Sequence, residues 1–547
     1  MAILMATSLG RQQISQAVSS PAPTMGINDT QPLANMENGY CVSLLNFYPS
    51  NESLSLRSGY REWVTNITDP DNPNRDLAIV KLITYVGVDG TSKMFATTSV
   101  GIWDVSSRTD SPVLVYPLNN GDVSSVIFSN VAGNYLVVVN GVDPAALYDG
   151  STWISFTLVP ASPPPSSPGQ VAGVDSSTFS FVTAFKGRLW FVQEESMTAW
   201  YLGTDAISGI ARPFYLGSVF QRGGNIFEIC TWSFDSGIGM DDNFVFRSSM
   251  GEIAIYQGTD PDSADSFSLV SVYYVSPPIG KLSHADLGGD VIMLTKSGII
   301  PLSKVVQGIA TESLYESALS KNISKTLNSI ILSANSGNIL PWEIHNAPSM
   351  QSLVVVLPST SNSAPVQFVM NCLTGAWCAY DLPASCFGIF NGIPYFGSSD
   401  GKVYSHSPTE SYLDGVLLDG TGGTAIEGSF LTAFSYLGNP TALKHFKMVR
   451  PIFQSLSEPA IQVSIAVDYN LGLTTSYNAP AVRSLGGAFW DEARWSQSVW
   501  STSENVFRPW STVVGLGYAG ALRMRVANIN PTNFVAFEVI YENGGVI

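Results

Sequence analysis

Residues 186–261 read KGRLWFVQEESMTAWYLGTDAISGIARPFYLGSVFQRGGNIFEICTWSFDSGIGMDDNFVFRSSMGEIAIYQGTDP. The stretch reads as short alternating strands, each ended by Gly, Asp or Asn, with Ser, Thr and aromatic residues where a half-buried sheet would want them. A period of two places one set of side chains against a core and the other toward water, the mark of strands and not helices. The stretch holds no metal-ligand spacing, no phosphate loop and no nucleophile paired with a base. It reads as a string of short strands whose work is structural.

The same pattern spreads outward as a loose repeat. An apolar strand, a turn and a small residue lead into a second strand in SVGIWDVSS (99–107), PAALYDGSTW (144–153), SMTAWYLG (196–203), GEIAIYQG (251–258), SGIIPLS (297–303), LTGAWCAYD (373–381) and DGKVYSH (400–406). The first five recur roughly every 50 residues, the length of one four-stranded propeller blade. This predicts a β-propeller over 66–425 with five to seven blades. PASPPPSSPGQ (160–170) interrupts it as extended chain, since proline fixes φ and removes a donor. Between 305 and 332, Leu314, Ala318, Leu319, Ile323, Leu327 and Ile330 fall at helical steps and predict a helical insertion. From 426 onward, strands such as AIQVSIAV (460–467) alternate cleanly, which predicts a C-terminal β-sandwich or platform module over 426–547. Residues 1–25 read as a flexible arm and 26–65 as a hairpin turning at Pro49. The expected fold class is therefore all-β: a propeller with a helical insertion plus a C-terminal β-module.

Composition narrows the function. Charged residues make up 13% of the 547 and apolar ones 45%, so a large core forms and much surface is left for neighbours. The net charge of −17 lies within 66–430, because 1–65 and 431–547 are nearly balanced. Such a segment suits no phosphate-gripping role, which needs Lys and Arg on the contact face. The five cysteines (41, 230, 372, 378, 386) have no histidine at metal spacing and read as buried free thiols of a protein made in a reducing cytoplasm. No apolar run is long enough to predict a membrane helix, and the first residues lack the basic and apolar regions of a signal peptide.

Candidate chemistry is thin. Asp241, Asp242, Asp260, Asp262 and Asp265 form the densest acidic patch, with Arg247 as the cation nearest to Asp241 and Asp242 in sequence. A glycosidase needs two carboxylates held across a cleft, and adjacent strand residues face opposite ways. The run DPDSAD (260–265) allows a calcium reading but lacks the glycine turn of an EF-hand. Acids on a surface or facing a pore fit better. SFDSG (233–237) is similar to the Asp-box turn of sialidase-like propellers, yet Ile238 to Met240 stand where that turn has its Thr-Trp. His284, His345, His406 and His445 have no evident partner, and GGD (288–290) and RGGN (222–225) read as turns. Trp490, Trp495, Trp500 and Trp510, with Asp491 beside the first, suit either stacking on a glycan or base, or anchoring a subunit interface; flanking Arg494 and Arg508 favour the interface.

Block by block, the chain resembles the nozzle proteins of short-tailed bacteriophages, also called tail tubular protein B. The matching blocks are a turn at Tyr48 and Pro49, the pattern L-R-x-G-Y through Arg57, Gly59 and Tyr60, the stretch 186–261, the Trp-Asp-rich segment from Trp490, and closing strands GLGYAGALRMRV (515–526) and YENGGV (541–546). The resemblance covers most of 26–547 and implies a virion structural protein, not an enzyme, needing no cofactor and no metal. It implies a homohexameric ring at the end of a short tail, made in the host cytoplasm. Its partners would be portal or adaptor proteins and tail fibres or a needle, with the host cell surface nearby. The ring would retain double-stranded DNA and pass it without sequence recognition during genome ejection. The alternative is a propeller that binds or hydrolyses host glycans.

Overall fold

The computed structural model describes residues 15–235, 240–280, 283–308, 316–334, 342–357, 366–407, 412–472 and 505–544. The chain divides into two compact units, one of 58–375 with 379–423, the other of 1–57, 376–378 and 424–547.

The first unit is a β-propeller. Among the described residues, seven antiparallel meanders follow one another, and the first five are sheets of their own. The first blade contains Lys81–Val86, Ser92–Thr97, Gly101–Asp104 and Val113–Pro117, and the second Ser124–Asn130, Gly133–Val139, Ala146–Tyr148 and Trp153–Ser155. The third contains Phe179–Phe185, Arg188–Gln193, Thr198–Tyr201 and Arg212–Tyr215, and the fourth Ile226–Asp235, Met240–Ser248, Glu252–Gly258 and Phe267–Tyr274. The fifth has three strands, His284–Leu287, Asp290–Thr295 and Gly298–Pro301. The sixth runs through Glu343–Ala347, Ser352–Val356 and Gln367–Asn371 and on into Trp377–Tyr380. The seventh begins with Cys386–Phe390, Ile393–Gly397 and Val403–Ser405.

Successive blades touch near their first strands, and the seventh touches the first, so the ring closes. The core lies between neighbouring sheets. Ile83, Phe95 and Ile102 of the first blade meet Leu136, Val138 and Tyr148 of the second. Phe128 and Leu147 meet Phe179 and Phe191, Trp190 meets Phe244 and Phe246, and Trp232 and Ile253 meet Met293 and Ile300. Leu82 and Trp103 close the circle against Cys386, Tyr395 and Val403. Each large side chain so covered contributes about 1.5–3 kcal/mol, and the inner strands are apolar on both faces because each packs against a blade on either side.

Closure is made by a strand from the other end of the propeller sequence. Tyr60–Val64 pairs antiparallel with Val403–Ser405 and becomes the outer strand of the seventh blade. Lys402 Nζ donates to Glu62 Oε1 at 2.8 Å, and the Leu418 N–H donates to Glu62 Oε2 at 3.2 Å. A Cβ on Gly59 would stand 2.1 Å from the Leu413 carbonyl oxygen, so only glycine lets the chain enter this strand.

The helical insertion exists but is broken. A helix spans Leu302–Val306, a 3₁₀ turn Lys321–Ile323, and a second helix Ser324–Ala334. The expected stripe is interrupted because Leu319 N–H donates to the Ile299 carbonyl at 2.9 Å and Ser320 Oγ accepts from Ile299 N–H at 3.0 Å. The segment thereby occupies the outer edge of the three-stranded fifth blade. Ala318, Ile323, Leu327 and Ile331 are buried; Leu314 lies outside the described residues.

The second unit is a β-sandwich. One sheet pairs Thr532–Asn543 with Lys444–Ser455 and adds Asn505–Phe507, Ser511–Gly517 and the hairpin Phe47–Pro49/Leu54–Leu56. The other pairs Gly520–Asn528 with Ala460–Val467 and Gly422–Thr432, and Cys41–Leu45 joins it. Phe47, Phe430, Phe453 and Phe534 pack between the sheets with ring centroids 5.0–5.5 Å apart. Residues 15–21, expected as part of a flexible arm, instead form the strand Ser15–Pro21 on Ala536–Glu542. The earlier residues of that arm lie outside the described ones.

Candidate functional site

The acidic patch is assembled at the junction of the third and fourth blades. Lys186 and Gly187, both with positive φ, make the tight turn between Phe179–Phe185 and Arg188–Gln193 and present Lys186 outward. Asp242 lies opposite Ser233 in the fourth blade, accepts from Ser233 Oγ at 2.8 Å and forms an ion pair with Lys186. The Lys186 hydrogen bond holds its carboxyl below the ordinary aspartate value. Asp260 accepts from Arg188 Nη2 at 3.3 Å. Asp262 pairs with Arg212 and accepts from Tyr201 Oη at 2.6 Å. Burial and Asp262 together push the Tyr201 phenol up to about 12. Asp265 is exposed, and the side chain of Asp241 lies outside the described residues.

Three of the acids therefore have cations, all supplied by the third blade, some 50 to 72 residues earlier in the chain. Arg247, the cation nearest to Asp241 and Asp242 in sequence, is turned away into the core. The arrangement ties two blades together and leaves Asp242, Asp260 and Asp262 without the bare, facing geometry that acid–base hydrolysis needs. Among the described residues no three His, Cys, Asp or Glu side chains gather as metal ligands do.

A second set of polar groups escaped the sequence reading. Glu228, on the first strand of the fourth blade, and Arg247, on its second, are fully buried and form an ion pair. Ser283 Oγ donates to Glu228 Oε2 at 2.9 Å and lies 3.2 Å from Arg247 Nη1. His284 Nδ1 stands 3.2 Å from the same Glu228 oxygen. Burial, helped by Arg247, lowers His284 to about 4, so the ring is neutral at pH 7. The signal was present as a lone charge inside each of two apolar runs, NIFEICTW (225–232) and NFVFRSS (243–249).

Comparable links run round the ring. Lys81 Nζ donates to the Val123 carbonyl at 2.9 Å, Val182 N–H donates to Ser124 Oγ at 3.2 Å, Asn346 Nδ2 to Asp286 O at 2.8 Å, and Ser385 Oγ to Ile79 O at 2.6 Å. Glu343 accepts from His345 Nε2 at 3.0 Å and from Phe387 N–H at 3.4 Å. His406 is buried, with Nδ1 3.0 Å from the Gly59 carbonyl oxygen. These groups lock blade to blade; none sits with a nucleophile.

The residues of the L-R-x-G-Y pattern all serve the fold. Buried Arg57 donates through Nε to Asn46 Oδ1 at 2.9 Å, and Pro49 pairs with Leu54 in the hairpin. Gly59 makes the close approach to Leu413, and Tyr60 packs edge-on against Phe396 and Tyr404. Of the interface candidates, Trp490, Asp491, Trp495 and Trp500 lie outside the described residues. Trp510 is described: it is 40% exposed, with the Arg450 guanidinium 4.6 Å above its ring. Arg450 also donates to Glu538 at 2.8 Å. Val506, Val514 and Leu516 stand exposed on the strands flanking Trp510. Within the same unit a cavity of about 200 Å³ is lined by Pro21, Pro23, Phe446, Ile465, Leu522 and Phe537 and holds no charged side chain.

The cysteines carry no site. Cys41, Cys230, Cys378 and Cys386 are buried free thiols, and Cys372 is half-buried. Burial raises the thiols of Cys41, Cys230 and Cys386. No described helix is long and apolar enough to cross a membrane.

No family model and no curated protein matches the sequence. Among solved structures, the chain is similar to BBS1N in complex with ARL6DN at 11% identity, covering 64% of this chain and 98% of that one with a TM-score of 0.38. It is similar to the Neurospora crassa Pan2 WD40 domain at 8% identity, covering 61% and 97% with a TM-score of 0.33. A third is BamB from Moraxella catarrhalis, at 11% identity, 66% and 93% coverage and a TM-score of 0.31. At these values the likenesses carry no argument about function, and the propeller rests on the strand pairing described above.

Proposed function

We propose that this chain is a structural subunit of a short phage tail, one of six copies closing a ring through which the genome leaves the virion. The observation that carries the reading is where the nozzle-like blocks fall. L-R-x-G-Y enters the strand that closes the propeller, while 515–526 and the described part of the last block, 541–544, belong to the sandwich that the N-terminal hairpin completes. The blocks thus sit at positions on which the fold depends. Buried charges such as Glu228 with Arg247, Arg57 on Asn46 and Lys444 on the Asn439, Ala442 and Tyr518 carbonyls are engaged in holding the fold.

The subunit acts passively. It holds the packaged DNA until a signal reaches the tail and then lets it slide, with portal or adaptor proteins above it and fibres or a needle beside it. The excess of 17 negative charges in 66–430 suits a wall that DNA must not grip, repelling phosphate over a Debye length of about 8 Å at physiological salt. Asp242, Asp260 and Asp262 enter this role with their charge partly compensated; Asp265 enters it exposed. Light scattering and negative-stain images of the purified protein test the reading. Hollow particles of six 58.7 kDa chains are expected, and a protein that stays single at all concentrations refutes it.

A further inference from the structure

Open sheet edges invite pairing with another chain, and proteins blunt them with proline, charge, brevity or a cover. The propeller blunts nearly all of its outer strands. Val113–Pro117 and Gly298–Pro301 end in proline, Trp153–Ser155 is three residues long, and Arg212–Tyr215 contains Arg212 and Pro213. Tyr60–Val64 is itself paired by Leu413–Val416, and Trp377–Tyr380 is almost wholly buried. The fourth blade differs. Its outer strand Phe267–Tyr274, FSLVSVYY, is eight residues long, carries neither proline nor charge, and exposes Leu269, Val270 and Tyr274. Among the described residues, the sandwich has a strand bonded on one side only that also exposes large apolar side chains, although Ala460–Val467, likewise without charge or proline and bonded only to Gly520–Asn528, runs close beside it. Ser511–Gly517, STVVGLG, pairs on one side with Lys444–Val449 and exposes Val514 and Leu516.

We propose that Phe267–Tyr274 of one copy pairs as a β-strand with Ser511–Gly517 of a second copy. This rests on the ring reading above and names the contact that would repeat around it. The lengths match, eight residues against seven, and neither strand would bury a charge. Of the charges flanking the two strands, Asp260 and Asp262 are held by Arg188 and Arg212, and Lys447 and Arg450 by Glu542 and Glu538. Asp265 before the first strand and Arg508 before the second are the opposite charges that face outward for a partner. The propeller segment carries the whole net charge of −17 and the segment 431–547 carries +1, so propeller against propeller repels where propeller against sandwich does not. A contact between two different patches is head-to-tail, the kind that builds a ring when its rotation closes, whereas a self-complementary patch stops at a pair.

The test uses the full chain in a Cys372→Ser background, which removes the half-buried native thiol. Cysteines are placed at Ser268, Val270 or Val272 on one strand and at Thr512, Val514 or Leu516 on the other, singly and in pairs. Directly opposed strand residues approach within disulfide reach, so mild oxidation of a correctly paired variant yields a ladder of linked chains. The proposal expects the ladder only when one chain carries both cysteines, and expects Val270→Lys to weaken association about tenfold or more while the unfolding midpoint stays put. If the protein is multi-subunit but no cysteine pair gives a ladder, or Val270→Cys alone gives dimers, the strand pairing is overturned and the ring reading stands. If the unmodified protein is a single chain in solution, both are overturned.

Discussion

Replacing Glu228 with Gln removes the only carboxylate hydrogen-bonded to Arg247 among the described residues while keeping the shape of the site. Arg247 is 1% exposed and Glu228 0%, so neither water nor a mobile neighbour takes over the charge. Stranding one member of a buried ion pair costs about 3–5 kcal/mol. The propeller unit has roughly 360 residues, and unfolding entropy near 2.1 cal/mol/K per residue gives about 0.8 kcal/mol/K for it. The midpoint of thermal unfolding should therefore fall by about 4–7 °C at pH 7, read by calorimetry. Replacing both Glu228 and Arg247 with Met removes charge and counter-charge together and fills the space with apolar atoms. That variant should lie within about 1 kcal/mol of the parent, or above it. A single variant that melts within a degree of the parent, or a double variant as damaged as the single, refutes the reasoning.

The same cluster sets a pH response. His284 titrates near 4 in the folded chain against 6.5 in the open one, so between those values the unfolded chain takes a proton that the folded chain refuses. Stability should fall as pH drops from about 6.5 toward 4, and His284→Asn should flatten that part of the difference curve; parallel curves for parent and variant would sink the assignment. Gly59→Ala drives a Cβ into the Leu413 carbonyl and should open the seventh blade, seen as lost near-ultraviolet dichroism or insoluble protein; a soluble variant of parental stability would contradict the close approach. Ellman's reagent should find one quickly reacting thiol in the native protein, Cys372, and all five after denaturation. A second fast thiol would mean that a buried cysteine is more open than its packing shows.

Much of the propeller was legible in residues 99–406. The seven repeated patterns fall on the third strands of the first five blades, on the fourth strand of the sixth and on the third strand of the seventh. Alternation marks a strand with one wet face, whereas 188–193 and 252–257 pack on both faces between blades, so Leu189 to Val192 and Ile253 to Tyr256 are all buried. The helical insertion was legible in its apolar spacing, but its break was not, because the same spacing is satisfied by a bent chain lying along a sheet edge, where Leu319 and Ser320 bond to Ile299. The strand at 15–21 was hidden for the opposite reason: its residues are mostly exposed and small, and its partners lie 515 to 527 positions away, from Pro21 with Ala536 to Ser15 with Glu542. Pairings of that reach leave no local mark. The acids of 241–265 illustrate the same limit, since composition showed their sign and only the fold supplied Lys186, Arg188 and Arg212.

Closure by Tyr60–Val64 has a consequence for how the protein is made. Glu62 meets Lys402, 340 residues further on, so the first strand leaves the ribosome long before its partner exists. At about 5–20 residues per second it waits roughly 17–70 s, unpaired and apolar on one side. Throughout that interval the nascent wheel is an open arc, and its last sheet is the step that makes every earlier one permanent. A chain cut short before Val403 would have no catch to fasten, however well its first blades had formed.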